Sequence, residues 1–219
     1  MKKNSVLFIG NSYTYCNNLP GMVRELANAA GRTTETAMVA SGGKSLEWHL
    51  YNPETLDAID KGGWDFVVLQ DYSLQAVEEP DKLLRATARL AARVRAVAAK
   101  PYLYVTWARQ QIPEMQDPIN DTYERAARAA GAGLAPVGSA WRSARAALPG
   151  LALHTEDRSH PNWLGSYLAA CVFYAALFET SPVGLPRETK LCDGVRAVVD
   201  RETAERLQEI AWATVRKAG

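Results

Sequence analysis

The chain has 219 residues, 47% of them hydrophobic, enough at this length to bury roughly 70% of the unfolded surface and to exclude global disorder. Its 25 basic and 24 acidic residues leave a formal charge of +1, which excludes an overall field for gathering nucleic acid or an anionic membrane. Partners are therefore expected to be recognised locally, and the length predicts one domain over residues 1–219.

In chain order, Ser5-Val6-Leu7-Phe8-Ile9 is a short continuous apolar run stopped by Gly10-Asn11-Ser12, the pattern of a parallel strand buried on both faces. It is too short for the apolar region of a signal peptide, and no cleavage site follows it. After Pro20, Met22, Val23, Leu26, Ala27 and Ala30 recur at helical spacing until Gly31, which predicts a helix. Thr34 to Val39 and Phe66 to Leu69 read as the second and third strands. Leu83, Leu84, Leu90, Val94 and Val97 form an amphipathic helical stripe ahead of a fourth strand, Tyr102 to Thr106.

A helix over Asn120 to Ala130, a strand at Leu134 to Val137 and an Ala-rich helix ending near Pro149-Gly150 continue the alternation. Two helices close the chain, one from near Asn162 with Leu164, Leu168, Val172 and Ala175 inward, the other with Ala204, Leu207, Ala211 and Val215 inward. Such alternation predicts βαβ units, a parallel sheet and a three-layer α/β domain. The longest apolar run, Tyr167 to Phe178, falls short of the roughly 20 residues that span a bilayer. Cys16, Cys171 and Cys192 are odd in number and irregular in spacing, matching neither a disulfide framework nor a zinc site. A soluble, cytoplasmic protein is expected.

In parallel sheets chemistry gathers beyond the carboxyl ends of the strands. There Ser12 follows the first strand, with helix N-terminal amides close by that can hold an oxyanion. The segment has neither the P-loop nor the dinucleotide spacing, and a loop or capping serine explains it as well. Asp157 and His160, three residues apart ahead of a helix, are spaced for the carboxylate to take the imidazole Nδ1 proton and leave Nε2 as a base for Ser12. An Asp-capped turn with a surface histidine fits the same residues. Ser41-Gly42-Gly43 and Gln70-Asp71-Tyr72-Ser73 follow the second and third strands, where a glycine amide or a carboxamide can meet a ligand; a tight turn and a loop cap are equally good accounts. His49, His154 and His160 include no i, i+4 pair, so no metal and no cofactor are expected.

Taken together and in order, these segments resemble the SGNH or GDSL-like hydrolases over nearly the whole chain. Phe8-Ile9-Gly10-Asn11-Ser12-Tyr13-Thr14 is similar to the nucleophile block, with Asn11 where many members carry Asp. The resemblance implies Ser12 as nucleophile, and Asp157 with His160, followed by Pro161-Asn162, as the acid and base of the last block. It implies an oxyanion hole from the Ser12 amide and that of Gly42, preferred over Gly43. The third block departs from the usual Gly-x-Asn-Asp and reads Leu69-Gln70-Asp71-Tyr72-Ser73. Gln70 offers the same carboxamide, similar to carbohydrate-esterase branches with glutamine there, and is expected as the third donor.

The implied fold is flavodoxin-like, five parallel strands in order 2-1-3-4-5. The implied activity is serine esterase chemistry on small carboxylic esters, O-acetyl groups of carbohydrates included. The alternatives are an O-acyltransferase with the same triad and a non-catalytic carbohydrate-binding module. The expected partner is a small-molecule ester or acylated sugar, with neither nucleic acid nor membrane. Asn11, Gly43, Tyr72, Trp107, Arg109 and Trp163 are the candidate substrate contacts, from their places in or beside the loops at the strand ends.

Overall fold

Val6 to Ile9 are all buried in β1 (Asn4–Gly10), as a continuous apolar run requires when both faces of a sheet are covered. This computed structural model describes residues 3–192 and 194–218; Met1, Lys2, Asp193 and Gly219 lie outside the described residues. After β1 come α1 (Ser12–Tyr15), a 3₁₀ turn at Cys16–Asn18 and α2 (Leu19–Ala29), then β2 (Thr34–Ala40), α3 (Leu46–His49) and α4 (Pro53–Asp60). β3 (Phe66–Leu69) leads to α5 (Gln75–Glu78) and α6 (Pro80–Ala96), and β4 (Lys100–Tyr104) to α7 (Gln116–Ala130). β5 (Gly133–Ala135), α8 (Val137–Ala147), α9 (Trp163–Phe178), a hairpin of β6 (Glu188–Lys190) and β7 (Arg196–Val198), and α10 (Arg201–Ala218) follow.

The five-stranded sheet has the order β2-β1-β3-β4-β5, with every pairing parallel. Side chains alternate across it with the period of two that strands impose. Val6, Phe8, Val68 and Tyr104 face α2, α8, α9 and α10, meeting Met22, Trp141, Phe173 and Leu207. Leu7, Ile9, Val67 and Leu103 face the opposite layer, meeting Leu46, Leu90, Val94 and Ile119. The result is a three-layer α/β/α fold whose strand order is the expected one.

Local differences from the sequence reading have physical causes. The fourth strand lies two residues earlier than expected, because it pairs from Lys100 opposite Phe66 and stops where its partners do, β3 at Leu69 and β5 at Ala135. The fifth ends at Ala135, since Pro136 has no N–H for the ladder and Val137 already begins α8. α9 carries no single inner stripe: every residue from Gly165 to Leu177 is buried among α2, α8 and α10. Among the described residues no helix is long and apolar enough to cross a membrane.

Candidate active site

Gly10, the last residue of β1, is fixed by crowding: a Cβ there would collide with Thr14 Oγ1 and Gln70 Oε1. Asn11 then caps α1, its Oδ1 accepting from the Tyr13 amide at 3.1 Å. Its Nδ2 donates to the carbonyls of Lys44 (3.0 Å) and Asp71 (3.2 Å). One side chain thus ties the turn after β1 to those after β2 and β3. Ser12, next in line, is half-buried, with its Oγ 2.8 Å from His160 Nε2.

His160 comes from a turn between α8 and α9, and its Nδ1 is hydrogen-bonded to Asp157 Oδ2. Asp157 Oδ1 meanwhile accepts from the amides of Ser159 and His160, both at 2.9 Å, and from Thr155 Oγ1 at 2.7 Å. The capped-turn and base-orienting accounts of this aspartate therefore describe its two oxygens. Partial burial pushes the carboxyl up, but the bonds from His160, the Ser159 amide, Thr155 and the His160 amide outweigh it and hold the group well below the usual carboxylate range. With Asp157 ionised, Nδ1 carries the imidazole proton and Nε2 can accept one from Ser12. The two side chains are 47% and 39% exposed, so a substrate can reach the pair.

An aromatic column backs this turn. Trp141 and Trp107 stack at 3.8 Å and 3°, Trp107 and Tyr13 at 4.7 Å and 4°, and the Tyr13 ring meets His160 edge-on at 5.3 Å. Trp107 Nε1 donates to the Ser159 carbonyl at 3.0 Å, and the Tyr13 hydroxyl lies 2.6 Å from Ser159 Oγ.

A second pair of buried polar groups supports the nucleophile's side. His49, on α3, lies with its Nε2 2.9 Å from the Gly10 carbonyl and its Nδ1 2.7 Å from Thr55 Oγ1; burial lowers its pKa, favouring the neutral ring that donates to Gly10. Asp71 Oδ1 accepts from the amides of Leu46 (2.8 Å) and Tyr72 (2.7 Å), while its buried Oδ2 has no hydrogen-bond partner among the described residues. Burial pushes this carboxyl up to about 6 against the pull of those two amides.

Ser12 and His160 open onto a hollow of about 320 Å³ that is also bordered by Asn11, Asp157, Gly43, Tyr72 and Arg109. Two larger hollows, of about 520 Å³ between α7, α8 and α10 and about 710 Å³ beside α7, β5 and α10, are lined by no histidine and no cysteine. Two expected contacts fall elsewhere. Trp107 is core, only 3% exposed within its stack. Trp163 packs half-buried on the core at the first turn of α9. Gly42 sits beside the Tyr15 hydroxyl, and it is Gly43, in the left-handed region at φ 69°, that borders the hollow.

Gln70 is the main correction. It is wholly buried, and its Oε1 accepts from the Asn11 amide (2.8 Å) and Thr14 Oγ1 (2.9 Å). The Asn11 amide can only donate, so the carboxamide must face it with oxygen, which leaves Nε2 turned to the Asp71 carbonyl. Gln70 does not border the hollow, and its Oε1 braces the nucleophile turn instead. Sequence reasoning passed over Tyr13, Ser73 and Ser159, which also border the hollow. Each flanks a residue that was singled out, and that adjacency was the available signal. Among the described residues no three His, Cys, Asp or Glu side chains gather to hold a metal ion.

A parallel sheet of order 2-1-3-4-5, layered by helices on both faces and bearing a serine after its first strand, is the fold of the SGNH hydrolases. No protein-family model matches the chain, and no curated protein matches it in sequence. Among solved structures, an SGNH hydrolase from Slackia heliotrinireducens is 31% identical, over 80% of this chain and 100% of that one, with a TM-score of 0.70. The chain belongs to the SGNH hydrolase family. Two further structures share the fold. A DUF4886 family protein from Bacteroides uniformis is 21% identical over 98% of this chain and 95% of its own, at a TM-score of 0.82. An acetyl xylan esterase from Geobacillus stearothermophilus is 17% identical over 80% and 94%, at 0.65.

Proposed function

We propose that the protein is a serine esterase that hydrolyses small carboxylic esters, O-acetyl groups on carbohydrates among them, through an acyl-enzyme on Ser12. The observation that carries this reading is the 2.8 Å approach of Ser12 Oγ to His160 Nε2, with Asp157 on the far side of the ring. His160 takes the Ser12 proton as Oγ attacks the ester carbonyl, and Asp157 stabilises the imidazolium. His160 then returns that proton to the leaving alcohol oxygen. In deacylation water attacks the acyl carbonyl as His160 takes its proton, and His160 passes that proton to Ser12 Oγ as the bond to the serine breaks and the acid leaves.

The oxyanion falls to backbone donors. The Ser12 amide and those of Gly42 and Gly43 have no acceptor within the described residues, and the two segments leave the sheet side by side because β1 and β2 pair at Gly10 and Ala40. We read Gln70 as the mark of a branch with glutamine in the third block, its role being to hold the turn that presents the Ser12 amide. The acetyl xylan esterases that share the fold support the acetyl assignment. Three free thiols, at Cys16, Cys171 and Cys192, support a reducing, cytoplasmic setting for a one-domain chain.

The test is hydrolysis of p-nitrophenyl esters of increasing chain length, beside acetate release from acetylated sugars, by wild type and Ser12→Ala. Wild-type turnover should fall at least 1000-fold in the variant, with the melting temperature preserved. Retention of most activity by purified Ser12→Ala would sink the assignment. Acyl transfer to an added sugar acceptor in preference to water would reassign the enzyme as a transferase.

A further inference from the structure

Of the charged groups on the hollow, Asp157 is fully engaged: its two oxygens take four hydrogen bonds from its own turn. Arg109 differs. It follows β4, borders the same hollow as Ser12 and His160, and is half-buried, yet its guanidinium has no hydrogen bond and no ion pair among the described residues.

Elsewhere in the chain arginines are either paired or in solvent. Arg93, Arg142, Arg196, Arg201 and Arg206 each meet a carboxylate. The other half-buried arginines, Arg32 and Arg145, bond to Thr180 Oγ1 and the Gln110 carbonyl. Those without a side-chain partner, such as Arg24, Arg85 and Arg125, are exposed. A guanidinium drawn partly out of water with five donors unused is unfavourable unless something supplies acceptors. Arg109 shares the hollow with the hydroxyls of Ser12, Tyr13, Tyr72, Ser73 and Ser159 and with Asp157, whose oxygens are already taken, and its positive charge opposes the burial that raises the Tyr13 phenol.

We infer that Arg109 receives a carboxylate of the substrate, so that the preferred esters are anionic ones. This inference rests on the esterase reading above and adds the substrate class to it. A planar guanidinium matches a carboxylate with two parallel hydrogen bonds, where a neutral sugar hydroxyl would leave most of its donors unused. A hollow of about 320 Å³ holds one small molecule, so the carboxylate and the scissile ester belong to the same compact substrate, as in an acetylated sugar acid or the half-ester of a dicarboxylic acid.

Two matched pairs of substrates test this and separate the two sources of the carboxylate. Acetylated glucuronic acid against acetylated glucose places it on the alcohol side, and p-nitrophenyl hemisuccinate against p-nitrophenyl butyrate on the acyl side. In at least one pair the wild-type kcat/KM should favour the anion. Arg109→Gln should lower that anionic-to-neutral ratio about 10- to 100-fold, mainly through KM, with Arg109→Lys restoring part of it. Ratios that are the same in wild type and Arg109→Gln for both pairs overturn the inference, even while Ser12-dependent hydrolysis upholds the esterase reading. If no ester in the panel is turned over, the esterase reading fails instead. Calorimetry with glucuronate and glucose then decides on Arg109: glucuronate binding that Arg109→Gln abolishes supports it, and equal behaviour of the two sugars, including no binding of either, overturns it.

Discussion

Asp71 and Asp157 occupy loops at the same end of the sheet, and the fold treats them in opposite ways. Asp157 is half in solvent and receives four hydrogen bonds, which keep it ionised far into acid. Asp71 is sealed beneath the turns after β2 and β3, with one oxygen on two amides and the other on nothing among the described residues, and is pushed up to about 6. The number of donors and access to water decide the outcome, since the side chains are identical. The two aspartates serve different needs. Orienting an imidazole requires a charge, whereas holding the Leu46 and Tyr72 amides requires only an oxygen, which a neutral carboxyl also has.

The most severe way to break this contrast is Asp157→Asn. Its Oδ1 can still cap the turn, so the melting temperature should change little. The carboxamide NH₂, however, donates to Nδ1 and drives the ring proton to Nε2, where it faces Ser12. Turnover on p-nitrophenyl acetate should fall on the order of 1000- to 10,000-fold.

Asp71→Asn should instead be felt in stability and its pH dependence. The folded pKa of Asp71 is raised above the unfolded one, so its contribution is fully present below about pH 4 and is lost as pH rises through about 6. Asparagine removes that loss. Urea unfolding at pH 4.5 and pH 7.5 should show the variant gaining on wild type between the two, by an amount on the order of 2–3 kcal/mol. A difference that does not vary with pH would show that Asp71 is not titrating in this interval.

Gln70→Leu gives the smallest effect and sharpens the correction made above. Loss of Oε1 strands the Asn11 amide and Thr14 Oγ1, a destabilisation of about 1–3 kcal/mol measurable by chemical denaturation. A glutamine acting as an oxyanion donor would show the reverse pattern, intact stability with turnover down about 100- to 1000-fold.

Why some of this was legible in sequence and some was not follows from how far each feature reaches. β1 and β3 announce themselves as unbroken apolar runs, and the Asp157–His160 geometry closes within four residues. The single-turn helices α3 and α5 and the β6–β7 hairpin do not, because Glu188-Thr189-Lys190 has no apolar alternation and α3 exists by virtue of a Ser45 cap on the Trp48 amide. The Ser12–His160 contact spans 148 positions, and the spacing of Asp157 and His160 pointed to it together with the resemblance of block order. The direction of the Gln70 arm was set by an amide donor across the sheet end. Trp107 was placed at the mouth of the site by its position after β4, but its partner in burial, Trp141, arrives from α8.

The Trp141–Trp107–Tyr13 column has a mechanical consequence. Asn11, Asp71 and His49 clamp the nucleophile's turn to its neighbouring loops, and the base rests on a column whose last ring, Tyr13, follows Ser12 in α1. One set of stacked rings therefore backs both members of the reacting pair. A change at Trp141, on the far face of Trp107, would reach Ser12 and His160 alike through Tyr13.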